Sequence, residues 1–324
     1  MSTPATTATA LIRTVTGDLD VSQLGRTDAH EHVFLSSPLL AGEDFQDLGK
    51  AIQELETVRD SGIDALVDLT TIGLGRRPAE LAKVAQDTGL HIVAATGYHR
   101  DAHYRADHWI YQATADQLLR AVVSDIEEGM DASDWSVPFR DTSSARAGVI
   151  KAGASYQLIS RTERERLEIC VEAAVLTGVP LAVHTEVGTS GHQILDVVES
   201  GGLPASRVML AHLDRNPDPD AHEELMQRGA FLVYDTVGRI KYRPESALLD
   251  LVAEMVERGF AGKLMLGTDV GRRNTLRAYG GGPGMDVLGR DFVPRLVRRI
   301  GVAGVDALLV DTPAAYLRLE GVPA

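Results

Sequence analysis

Residues 147–186 read AGVIKAGASYQLISRTERERLEICVEAAVLTGVPLAVHTE, and this stretch decides the fold. AGVIKAG (147–153) is a short apolar, β-branched run of strand type. TERERLEICVEAAVLTG (162–178) is an amphipathic helical pattern that stops at Gly178, a residue suited to ending a helix. PLAVHTE (180–186) is again strand-like. Strand, helix and strand in succession make a parallel pair with a crossover helix.

The same order repeats along the chain. Further candidate strands are RTDAH (26–30), ALVDLT (65–70) and HIVAATG (91–97), then VMLAH (208–212), AFLVYD (230–235) and KLMLGTD (263–269). FQDLGKAIQELETVRDSG (45–62) is another helical pattern closed by Gly. Eight strands alternating with helices predict a closed (β/α)8 TIM barrel. An open doubly wound sheet would bring a glycine-rich phosphate loop early in the chain, and neither GxGxxG nor a P-loop motif is present. With no short internal repeat or low-complexity linker, the reading is a single domain over 1–324 with a short N-terminal strand-like extension around ALIRTVTG. Two connections exceed minimal loops, 98–112 and 270–288, and long loops after barrel strands are where substrate contacts gather.

A formal charge of -14 argues against a nucleic-acid partner, whose phosphates would be repelled. Cys170 is the single cysteine, which excludes an intramolecular disulfide and a cysteine-rich zinc site. Its place in a helical pattern reads as core packing. The first residues lack the basic and apolar regions of a signal peptide, and no apolar run reaches the roughly 18 residues of a membrane span. The expectation is a cytoplasmic protein with no membrane partner.

Barrel active sites lie at the C-terminal strand ends, and metal-competent residues collect there. His30 and His32 end strand one, His184 comes near the end of strand five, His212 ends strand six, and Asp269 ends strand eight. All five are ordinary ligands for zinc or a similar divalent ion. Lys151, in strand four, is the odd member. A protonated lysine repels cations, so it is a bystander, a paired cation or a modified residue. Carbon dioxide would convert its amine into a carboxylate-like group able to bridge two metals. Taken singly, each histidine could be a satisfied rim residue, Asp269 a turn cap and Lys151 a salt-bridge partner. Five strand ends converging on one mouth make that reading poor for the set.

The ordered set of HEH, Lys151 in GVIKAG, His184 in VHTE, His212 in LAHLDR and Asp269 in GTD resembles the phosphotriesterase-like branch of the amidohydrolase superfamily. DALVDLTTIGLGRRPAELAKVAQDTGLHIVAATGYH (64–99) is similar to that branch's second and third barrel units. The resemblance implies two divalent metal ions, zinc first, with manganese, cobalt or iron as alternatives. His30, His32 and Asp269 would hold the more buried ion and His184 and His212 the more exposed one. Carboxylated Lys151 and a hydroxide would bridge them. Asp269 would accept and relay the proton, and Tyr98 in TGYH would steady the developing oxyanion. The mononuclear deaminase-like branch lacks the strand-four lysine. Phosphotriesterases proper place an acid three residues after the strand-six histidine and a histidine after strand seven; Arg215 and Thr236 stand there, which weighs against efficient organophosphate hydrolysis.

Two loops carry the substrate expectation. GRIKYRP (238–244) and GRRNTLRAYGGGPG (271–284) place Arg239, Lys241, Arg243, Arg272, Arg273 and Arg277 near the mouth of an acidic protein. Arg239, Lys241, Arg272 and Arg273 are the candidate anion contacts, and both loops are similar to those of family members acting on phosphorylated sugar lactones. The expected function is therefore a metal-dependent hydrolase opening a small anionic sugar 1,4-lactone. The alternatives are a phosphotriesterase or other phosphate ester hydrolase, and a ligand-binding barrel without turnover. A neutral lipid-like lactone would want an apolar pocket. His99, His103 and His108, in GYHRDAHYRADHW (97–109), suggest a lid or specificity loop before a third metal site. Trp109 and Trp135 would line a pocket or anchor loops. Members of the branch form homodimers, so a homodimer is expected.

Overall fold

A computed structural model describes residues 10–137 and 140–321; the remaining ends of the expected 1–324 domain lie outside the described residues. The strand-like extension is an antiparallel hairpin, β1 (Leu11–Thr14) with β2 (Gly17–Asp20). The eight expected barrel strands then follow as β3 (Thr27–Glu31), β4 (Ala65–Asp68), β5 (His91–Gly97) and β6 (Val149–Ala154), then β7 (Leu181–Thr185), β8 (Val208–Ala211), β9 (Phe231–Tyr234) and β10 (Leu264–Leu266). They pair in parallel in strict chain order.

The helices between them are α1 (Leu48–Asp60), α2 (Pro78–Thr88), α3 (Ala115–Glu127), α4 (Arg161–Thr177), α5 (Gly191–Ser200), α6 (Pro219–Gln227), α7 (Glu245–Glu257), α8 (Val293–Asp306) and α9 (Thr312–Leu317). Local sequence sets their ends. Ser160 and Glu163 form a reciprocal capping box at the start of α4, and Gly178 closes it in the left-handed conformation at φ 70°. A β-carbon on Gly178 would lie 2.0 Å from the Glu320 carbonyl oxygen, so the stop signal is also a packing requirement.

Alternation along each strand separates two cores. Val67, Val93, Val149, Ala182, Met209, Val233 and Met265 fill the barrel interior, joined by Ile12 from the hairpin and Leu317 from α9. Leu66, Ile92, Ile150, Leu181, Leu210 and Leu232 face outward against the helices. Truncating one of these buried leucines to alanine costs about 2–5 kcal/mol. The interior is thus a packed core that supports a mouth at one end.

The circle closes without a regular ladder. Among the described residues β10 and β3 form no strand pairing; instead the Asp269 amide donates to the His30 carbonyl at 2.9 Å. Carboxylates stitch the rest. Glu31 bridges the gap, accepting from the Val270 amide and from the neighbouring His32 amide, each at 3.2 Å, while Asp28 braces β3 itself by accepting from the His30 amide at 3.1 Å.

Two features depart from the sequence reading. Residues 128–148, between α3 and β6, are a further long connection. Helical residues 288–317 are long and apolar enough for a membrane span by composition, but Gly301 breaks them at φ 75° and Leu296, Val305, Leu308 and Leu309 are buried against the barrel shell.

Candidate metal centre

Strand periodicity brings the expected ligands to the mouth. On β6 Val149 points into the barrel, and Lys151, two residues on, follows it; Ala182 and His184 repeat this on β7. His212 comes one residue after the inward Ala211, where a straight strand would turn it out. Its backbone is left-handed at φ 68°, and Asp269 shares that conformation at φ 47°. Such backbone in non-glycine residues costs about 1–3 kcal/mol and collects at functional sites.

The side chains converge. Asp269 Oδ1 lies 3.6 Å from His30 Nε2 and 3.4 Å from His32 Nε2, so the HxH pair does address one point. Asp269 Oδ2 lies 3.8 Å from His212 Nδ1, and His212 Nε2 lies 2.8 Å from His184 Nδ1. His30, His32 and Asp269 form one group of donors with the spacing a cation needs. All six expected ligands are buried.

A partner on the other nitrogen orients each imidazole. Asp235, just past β9, accepts from His30 Nδ1 and His212 Nδ1, one on each oxygen at 2.8 Å. His32 Nδ1 meets the Thr70 hydroxyl at 2.9 Å, and His184 Nε2 donates to Glu186 at 2.9 Å. Holding the outer nitrogen this way fixes the tautomer and aims the inner one. With those protons placed, His212 Nε2 and His184 Nδ1 present lone pairs to each other, an arrangement that calls for a proton or a cation between them. Asp235 went unrecognised in the sequence although it ends a predicted strand; its inward parity after Val233 was the available signal.

Electrostatics favour the ligating forms. Burial, with help from the Lys151 charge, lowers His30 to about 3. Burial and Arg215 lower His212 to about 3, and burial takes His184 well below its ordinary range. Neutral imidazoles are the metal-binding form. Burial pushes the Asp269 carboxyl up, but the neighbouring charges, Arg239 foremost, outweigh it and hold it well below the usual carboxylate range. Lys151 Nζ is buried without a hydrogen-bond partner, and burial lowers it to about 8. An orphaned amine of that basicity, ringed by metal ligands, fits the site of a carboxylated bridge. The donor set as a whole fits a pair of divalent ions.

Other expected residues sort differently. Tyr98 does not face the donors. It follows the outward parity of Ile92 and Ala94, and its hydroxyl donates to the Leu118 carbonyl of α3 at 2.9 Å. His99, one residue on, turns to the mouth instead, its ring 4.7 Å from that of His184. His103 stacks on His99 at 3.9 Å, whereas His108 packs on Tyr104 and Trp109. Trp109 and Trp135 lie 6.3 Å apart beside α3, and Cys170 is buried in α4 as expected.

Beside Asp269 opens a cavity of about 360 Å³ whose lining includes Arg239, Lys241 and Arg272. Arg239 is committed to Asp269 through both the carbonyl and the carboxylate. Lys241 rests over the Tyr242 ring at 4.8 Å, and Arg272 is 3.9 Å from Glu43. Arg273 turns away, stacking on Tyr279 at 5.3 Å because its amide is pinned to the Glu43 carbonyl. Arg277 is likewise spent on Pro283 and Asp286. Arg215 reaches Asp269 Oδ2 at 2.5 Å, and Thr236 bonds to Asp214. The cation at 215 therefore occupies the heart of the site.

A barrel whose strand ends carry this donor set has close relatives. The Phosphotriesterase family model matches residues 10–317, and the chain belongs to that family. It is a metal-dependent hydrolase of that kind. A phospho-furanose lactonase of Mycoplasmopsis synoviae is 30% identical over 324 residues, covering 95% of this chain and 92% of the relative. The crystal structure of a lactonase from Listeria monocytogenes superposes with a TM-score of 0.88 at 27% identity, covering 96% of this chain and 100% of that one. A phosphotriesterase homology protein from Escherichia coli, complexed with phosphate in its active site, gives 0.82 at 27% identity, covering 91% and 99%.

Proposed function

We propose that this protein opens small phosphorylated sugar lactones. The observation that carries the reading is the cavity beside Asp269, where among the described residues Lys241 has no carboxylate partner and Arg272 has only the Glu43 carboxylate, at 3.9 Å. The names of the related lactonases support the same substrate class.

Two divalent cations, zinc by preference, would make hydroxide available near neutral pH and draw charge from the lactone carbonyl. His30, His32 and Asp269 would hold one, His184 and His212 the other, and Lys151, carboxylated by carbon dioxide, would join them. The chain supplies the remaining steps. Lys241 and Arg272 bind the phosphate and place the ring. Asp269, ionised and bordering both histidine pairs, takes the proton of the attacking water. The bond between the carbonyl carbon and the ring oxygen breaks, the proton passes to that oxygen, and a hydroxy acid leaves. Arg215 and Arg239 keep Asp269 oriented through Oδ2, leaving Oδ1 toward His30 and His32. The protein acts in the cytoplasm as a homodimer in this reading.

The test is turnover of the metal-loaded protein on 1,4-lactones with and without a phosphate, followed by proton release. Lys241→Ala and Arg272→Ala should each raise KM for the phosphorylated forms by roughly 10–100-fold, the worth of one charge-assisted contact. Equal turnover of neutral lactones, indifferent to both variants, would sink the anion site.

A further inference from the structure

His99 stands where Tyr98 was expected, and its surroundings define what it can do. The Arg100 amide donates to His99 Nδ1 at 2.8 Å. A backbone N–H only donates, so Nδ1 carries the lone pair and the ring proton sits on Nε2. Among the described residues Nε2 has no hydrogen-bond partner, although His99 is 7% exposed. The backbone is fixed as well, the His99 amide donating to the Tyr104 hydroxyl at 2.9 Å and that hydroxyl to the Ile72 carbonyl at 3.0 Å.

The ring is clamped on both sides. His184 lies 4.7 Å away on the metal side and His103 stacks 3.9 Å away on the other. His103 is held in turn by the Ser37 hydroxyl at 3.1 Å. Beneath, Gly153 leaves room: a β-carbon there would lie 3.3 Å from His99 Nδ1 and 2.9 Å from the Arg100 amide nitrogen. An unpaired N–H on a mostly buried, preoriented ring beside the more exposed donor pair is the arrangement that stabilises charge developing on a carbonyl oxygen.

We propose that His99 donates its Nε2–H to the lactone carbonyl oxygen as that oxygen takes on negative charge, and that His103 is the positioning residue that holds the ring. The assignment rests on the lactonase reading. The bond forms as charge develops and is returned when the ring opens, with no net proton transfer from His99.

The test compares His99→Phe, which keeps a flat ring without the donor, with His99→Gln, which restores a side-chain N–H at similar reach. Each variant is assayed for metal content, for kcat and KM on the preferred lactone, and for calorimetric affinity toward a cyclic phosphonate with tetrahedral phosphorus in place of the carbonyl carbon. His99→Phe should keep its metal and KM while kcat falls about 10²–10³-fold. Phosphonate affinity should fall with kcat, and His99→Gln should recover part of both. A kcat loss of no more than about threefold in His99→Phe, loss of metal, or a His99→Gln variant no better than His99→Phe would overturn the assignment. Absence of lactone turnover by the unaltered protein would overturn the lactonase reading itself; turnover with an indifferent His99→Phe would overturn this assignment alone.

Discussion

The carbonyl oxygen of Lys151 occupies the space that a side chain on Gly97 would need. A β-carbon at Gly97 would lie 2.3 Å from it, and Gly97 is held at φ 102°. The end of β5 can press against the strand carrying Lys151 only because residue 97 has no side chain. Gly97→Ala should therefore destabilise the protein by about 2–4 kcal/mol and lower its metal content. Gly89→Ala is the control, since Gly89 has φ 71° but open space around it, and should cost only about 1 kcal/mol. Equal melting temperatures and equal metal content in the two variants would remove the argument.

Asp235 is buried and does not line the cavity, yet its one carboxylate aims two of the candidate ligands. Asp235→Asn preserves shape but cannot accept from both imidazoles at once. Metal affinity should fall roughly 10–100-fold, read by competition with a chelator, and excess metal should restore most of the activity. An unchanged affinity would show that the histidines need no such support.

Glu43 is the hinge pin of the anion cavity. Its carboxylate accepts from the Asn274 amide at 3.1 Å and the Asn274 side chain at 3.0 Å, while its carbonyl accepts from the Arg273 amide at 3.1 Å. These bonds present Arg272 to the cavity. Glu43→Ala should raise KM for phosphorylated lactones by about fivefold, near 1 kcal/mol, and leave kcat unchanged. If KM rose equally for neutral lactones, the loop would matter for shape rather than for the anion.

His222 provides a titration away from the metal ligands. Its Nδ1 meets the Tyr234 hydroxyl at 2.6 Å and its Nε2 the Asn216 carbonyl at 3.0 Å. Burial lowers its pKa from 6.5 to about 4. The unfolded chain takes up this proton below about pH 6.5 and the folded chain only below about 4. Between those values unfolding binds a proton, so acidification weakens the fold; above 6.5 the effect is absent. The contribution amounts to about 3 kcal/mol across the window. Denaturant titrations of the parent and His222→Gln should diverge in pH slope between pH 6.5 and 4, and parallel slopes would refute the assignment.

Strand order and part of the donor cluster are legible in the sequence because they follow period-two alternation. Val149 with Lys151 and Ala182 with His184 advertise an inward row that ends in a polar group. The same rule places Tyr98 away from the donors: it shares parity with Ile92 and Ala94, which face the helices, and the mouth position falls to His99. Asp235 obeyed the rule and was overlooked. Arg273 and Arg277 could not be sorted from Lys241 and Arg272, because loop side chains take direction from distant partners such as Glu43 and Asp286. The turn that carries His212 inward rests on a φ angle that no spacing encodes.

The first and last barrel strands meet, among the described residues, through the Asp269–His30 main-chain hydrogen bond and the Glu31 carboxylate on the Val270 amide. His30 and His32 stand on one lip of that join and Asp269 on the other. An ion held there would be a buckle on a hoop, fastening the circumference as well as supplying the chemistry. Stripping such an ion would loosen the belt at that one place, so the ends of the barrel should slacken while its far side, around β6 and β7, stays taut.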